Sequence, residues 1–68
     1  MKIYDATREA TFDSLDAWKT ECINYAIIAA GWPKKETENF EFTEEDGYVV
    51  MRDRRTGVEY ERGKIKTK

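Results

Sequence analysis

The chain has no histidine, one cysteine, one serine and one proline. Without histidine, neither Cys22 nor Ser14 has the base that ordinarily activates such a nucleophile. A lone thiol cannot assemble the common zinc coordination sets, and it cannot form an internal disulfide. It suits a reducing compartment, so a cytoplasmic location is expected. No apolar run approaches the ~20 residues that span a bilayer. The first residues lack the basic-then-apolar layout of a secretion signal. Neither an internal repeat nor a low-complexity linker divides the chain, so residues 1–68 read as a single small domain.

Phosphate-loop chemistry is missing too. Gly31-Trp32-Pro33-Lys34-Lys35 offers a glycine and two lysines. It follows a helical pattern, holds a proline, and lacks the second glycine and the hydroxyl residue that cradle phosphate and magnesium. Carboxylates are plentiful, but so short a chain has little room for the dry cleft that tunes a general acid–base pair. These absences predict a non-enzymatic protein without catalytic residues, cofactor or metal.

Aromatic and aliphatic residues are well supplied. Phe12, Trp18, Tyr25, Trp32, Phe40, Phe42, Tyr48 and Tyr60, with Ile23, Ile27, Ile28, Val49, Val50 and Val58, are the candidate core. A domain of this size buries only ~60% of its unfolded surface. Folding alone is plausible, and a homodimer is the obvious way to bury more.

The pattern predicts an α+β fold. Leu15, Trp18, Cys22, Tyr25 or Ala26, and Ala29 recur at helical spacing, which predicts a long helix over 12–30. Thr11 or Asp13 is the expected N-cap, and Ser14 is expected in the first turn. Gly31, Trp32 and Pro33 form the stop signal. Cys22 falls on the apolar face, where a thiol behaves as a small hydrophobe. Ile23, Ile27 and Ala30 make a second stripe, covered either by the sheet and Trp32 or by a partner. Residues 34–39 read as a polar connector.

Beyond the connector the period changes to two. Strands are expected over 39–43, 48–53 and 58–62, with turns at 44–47 and 54–57 and a bulge at Gly57. Whether Val50 or Met51 shares the face of Tyr60 depends on the register of the 48–62 hairpin. Residues 64–68 extend the last strand or fray as a basic tail. The expected architecture is one long helix on a three-stranded antiparallel meander, with room for a short strand from residues 1–5 at an edge.

Tyr4-Asp5-Ala6-Thr7, followed by Thr11-Phe12-x-x-Leu15-x-x-Trp18, resembles the stretch of Rab- and Ras-like small GTPases in which a core strand leads into a helix. The resemblance implies a strand at Ile3-Tyr4 and a helix beginning near Phe12. It implies no nucleotide binding, because the phosphate loop and the Asn-Lys-x-Asp motif are absent.

Charge is sorted along the chain. Residues 1–47 carry five basic and eleven acidic side chains, whereas residues 48–68 carry seven basic and three acidic ones. Glu36, Glu38, Glu41, Glu44, Glu45 and Asp46 form an acidic ridge, and Arg52, Arg54, Arg55, Arg62, Lys64, Lys66 and Lys68 a basic hairpin and tail. The leading expectation is a protein-binding module, an inhibitor or adaptor that occludes a surface of a larger protein. Glu41, Glu44, Glu45 and Asp46 would meet an electropositive partner; Arg52, Arg54, Arg55 and Arg62 would meet an acidic one. Short acidic domains without catalytic equipment are frequent among phage-encoded and bacterial regulatory proteins. The alternatives are nucleic-acid binding through the basic hairpin, with Tyr48 and Tyr60 as stacking surfaces, and a structural homo-oligomer. A net charge of −2 favours the protein partner.

Overall fold

The computed structural model describes residues 1–66. They form a small α+β domain in which one main helix covers one face of a five-stranded antiparallel sheet. Strands β1 (Lys2–Asp5) and β2 (Ala10–Phe12) precede helix α1 (Leu15–Ile28). A short 3-10 helix (Lys34–Asn39) then leads into β3 (Phe40–Glu45), β4 (Tyr48–Asp53) and β5 (Glu59–Lys66). The sheet order is β2-β1-β5-β4-β3. The expected meander is its β5-β4-β3 half.

The N-terminal half departs from expectation. β1 lies inside the sheet, between β2 and β5, rather than at an edge. The chain reverses through residues 6–9, where the Asp5 carboxylate accepts the Arg8 backbone N–H at 3.1 Å and Glu9 takes a positive φ of 51°. Pairing of Phe12 with Ile3 then holds Phe12 in a strand. The helix therefore starts later than predicted, capped by the Ser14 hydroxyl, which accepts the Ala17 N–H at 3.1 Å. The strand implied by the small-GTPase resemblance is present, but it leads into a hairpin rather than directly into a helix.

At the other end of α1, Gly31 at φ 74° lets the Trp32 N–H return to the Ala26 carbonyl at 2.9 Å. The Trp32 ring then packs on Phe40 and Tyr60, with centroids 4.6 and 5.5 Å away. The β3–β4 turn is shorter than expected. Asp46 and Gly47, at φ 50° and 82°, make a two-residue turn of the primed kind, and Glu44 and Glu45 join the strand.

In the β4–β5 hairpin, Met51 pairs with Glu61 and Arg52 with Glu59, so the irregularity falls at Tyr60. Gly57 supplies a positive φ of 77° in the turn. Ring contacts with Trp32 and Phe40 put Tyr60 on the helix side, and it is Met51 that shares its face. Residues 64–66 are strand, not frayed tail; the remainder of the expected tail lies outside the described residues.

The core comprises Ile3, Trp18, Cys22, Ala26, Phe40, Val49 and Met51, flanked by Phe12, Leu15, Trp32, Phe42 and Ile65. Trp18 is its centre. Its ring meets Phe42 edge-on at 5.8 Å and lies over Gly63. A Cβ on Gly63 would come within 2.4 Å of the Ile3 side chain and 3.0 Å of the Trp18 ring, so the helix can approach β5 only over a glycine. Four candidate core residues are instead exposed: Tyr25, Ile28, Val58 and Tyr60. Ile23 and Ile27 are half-buried. Tyr25 and Ile28 flank the narrow stripe of Trp18, Cys22 and Ala26, which alone of the helix is fully covered.

Candidate functional site

Strand alternation gives the sheet two different faces. Beneath α1 lies a buried ionic cluster. Trp18 donates its indole N–H to Asp5 at 2.9 Å, and the Arg8 guanidinium contacts the same carboxylate. Arg8 also donates to both Glu61 oxygens, at 3.1 and 2.9 Å, approaches Glu21 at 3.4 Å, and lies 5.1 Å from the Tyr25 ring. Burial pushes the Asp5 pKa up. The Trp18 and Arg8 hydrogen bonds outweigh burial, and the carboxylate stays below its ordinary range. Glu61 is the main reason that Arg8 holds its proton more tightly than usual.

Asp5, Cys22 and Glu61 bring potential ligand atoms within 4.8 Å of one another. Arg8 already neutralises both carboxylates, and burial, reinforced by the Glu61 charge, pushes the Cys22 thiol up to about 12. The trio thus works as a salt-bridged core element. Its members are far apart in sequence, and no spacing signal announces it.

The opposite face is uncovered. Register brings Tyr4 and Tyr48 to either side of Lys64, so three side chains stand abreast across β1, β5 and β4. Lys66 lies 5.7 Å from the Tyr4 ring and Arg62 5.0 Å from the Tyr48 ring. An open concavity of about 440 Å³ lies here, bounded by Tyr4, Tyr48, Arg62 and Lys64 and also by the acids Glu59 and Glu61. Tyr4 is not among the stacking residues expected from the sequence, whereas Lys64 and Lys66 belong to the expected basic hairpin and tail. Tyr60, which is among those stacking residues, faces the helix side instead.

The eight charged residues expected to bind partners are not two free rims. Arg52 donates to both Glu45 oxygens, at 3.2 and 2.8 Å. Arg62 donates to both Glu59 oxygens, at 3.1 and 2.9 Å. Arg55 bridges buried Asp53 and Glu36, at 3.0 and 3.3 Å. Hydrogen bonds from these arginines hold Glu45, Glu59 and Asp53 below the ordinary carboxylate range. Among the described residues the Arg54 side chain reaches only the Asn39 side-chain oxygen, at 3.3 Å. Glu41, Glu44 and Asp46 have no ion-pair partner among the described residues. The charge left unneutralised at this end of the sheet is mainly acidic, and Glu41 and Glu44 lie on β3.

β3 is also an edge. Among the described residues it pairs only with β4. The tight turn makes Glu45 and Tyr48 a hydrogen-bonded pair, and the Arg54 N–H donates to the Asn39 carbonyl at 2.8 Å. Alternation between those fixed points turns the backbone groups of Phe42 and Glu44 outward.

Comparison with protein-family models, curated proteins and solved structures finds no match. Among the described residues, no helix is long and apolar enough to cross a membrane.

Proposed function

We propose that this chain is a non-enzymatic protein-binding module that captures an extended, basic segment of a larger protein along the outer edge of β3. The observation that carries the reading is the coincidence, on one strand, of an unpaired backbone edge and unneutralised acids. Such an edge can add a strand from another chain, its main-chain bonds giving affinity and its side chains selecting the partner. Glu41, Glu44 and Asp46 favour lysine and arginine and repel a second copy of β3, so the partner is a different chain. The arginine half of the surface engaged with its own carboxylates contributes little attraction for an acidic partner.

Proline at position 44 tests this without disturbing the β3–β4 ladder, because the Glu44 N–H points away from β4. Affinity capture from host lysate with the wild-type chain, Glu44→Pro and Arg62→Glu is read by quantitative mass spectrometry. A protein retained by wild type and by Arg62→Glu, but lost with Glu44→Pro, is the expected result. A captured set unaffected by Glu44→Pro removes the edge from consideration.

A further inference from the structure

The uncovered face of the sheet carries a second and separate chemistry. We infer that it binds single-stranded nucleic acid, with bases stacking on Tyr4 and Tyr48 and phosphates held by Lys64 and Lys66. Three observations converge. The first is the row Tyr4–Lys64–Tyr48, which puts two aromatic rings on one surface, two strand spacings (about 10 Å) apart, with a lysine between them. A base stacks on such rings whatever its sequence. The second is charge. Lys64 and Lys66 have no ion-pair partner among the described residues, and Lys66 rests over the Tyr4 ring; Arg62 rests over the Tyr48 ring but is held by Glu59 at 2.9 Å. An incoming base takes the place of Lys66 on Tyr4 and leaves that cation free for the adjoining phosphate. The third is spacing. Lys64 and Lys66 alternate along β5, so the two cations are about 6.8 Å apart on one face. A row of cations along one strand can track the backbone of an extended single strand.

The net charge of −2 does not oppose this, because Glu59 and Glu61, the acids that line the concavity, are paired with Arg62 and Arg8. Glu41, Glu44 and Asp46 follow β3 and its turn, on the far side of β4 from Tyr4 and Lys66. Binding is expected to be modest and steeply sensitive to salt.

Fluorescence anisotropy with a short fluorescein-labelled oligodeoxythymidine is the test. Two phosphate contacts predict that log K falls with log salt at a slope of about −1.4. Lys64→Glu should weaken binding at least tenfold. Tyr48→Leu, which keeps bulk but loses the aromatic face, should weaken it at least fivefold with the salt slope unchanged. Circular dichroism melts establish that both variants fold. Glu44→Pro should bind the oligonucleotide like wild type, so failure here is distinguishable from failure of the edge reading. No binding at low salt, equal binding by Lys64→Glu, or equal or tighter binding of a duplex of the same length overturns the inference. The last of these outcomes would leave only a general attraction for polyanions.

Discussion

Glu61 and Arg62 are neighbours on β5, and each makes an ion pair whose closest contact is 2.9 Å. They differ in where the strand's alternation points them. Glu61 meets Arg8 under the helix, where the two side chains are 13% and 16% exposed. Arg62 meets Glu59 on the open face, at 46% and 35% exposure. Equal distance does not mean equal consequence. Removing one member of a buried pair leaves an uncompensated charge in a poorly solvated site. Removing one member of an exposed pair returns the other to water, where screening had already reduced the attraction. The covered face is therefore built for stability. The open face carries ion pairs that can be broken at little expense.

The contrast is open to direct attack. Arg8→Ala should have the largest effect, a loss of about 3–5 kcal/mol in urea unfolding, because Asp5 and Glu61 both lose their cation. A loss no greater than that of Arg62→Ala would erase the distinction between the faces. Gly63→Ala should follow at about 1–3 kcal/mol, since the new methyl group collides with Ile3 and lifts Trp18.

Acid should act next. Asp5 has a folded pKa below its unfolded one, so its contribution is fully present above the unfolded value and is lost as pH falls through the folded value. Urea midpoints should hold from neutrality down to the ordinary aspartate range and drop below it. Asp5→Asn should make that drop shallower. Cys22 should ignore a thiol reagent at mildly alkaline pH until the chain is unfolded, because burial keeps its thiol protonated. Arg62→Ala should leave the urea midpoint unchanged at physiological salt, the smallest effect of the set.

The C-terminal meander was legible because its signals are local. Alternating Phe40 and Phe42, the Asp46-Gly47 pair and the Gly57 turn each act over a few residues. The helix was legible in its middle and misread at its start. Its apolar spacing runs back to Phe12, yet Ser14 caps it, because pairing with Ile3 draws Phe12 into a strand. Local periodicity contains no information about that pairing.

The charged residues tell the same story. Their sorting into an acidic and a basic segment is plain in the sequence, and it suggested two free rims. Folding sets β3 and β5 on either side of β4, so residues from the two segments meet and Arg52 pairs with Glu45. The sequence by itself determined the class of fold, the helix stripe and the three C-terminal strands. Only the tertiary structure decided that β1 lies inside the sheet, that Arg8 joins Asp5 to Glu61, and that Tyr4, Lys64 and Tyr48 form one row. Those are contacts between residues far apart in the chain, and long-range strand pairing creates them.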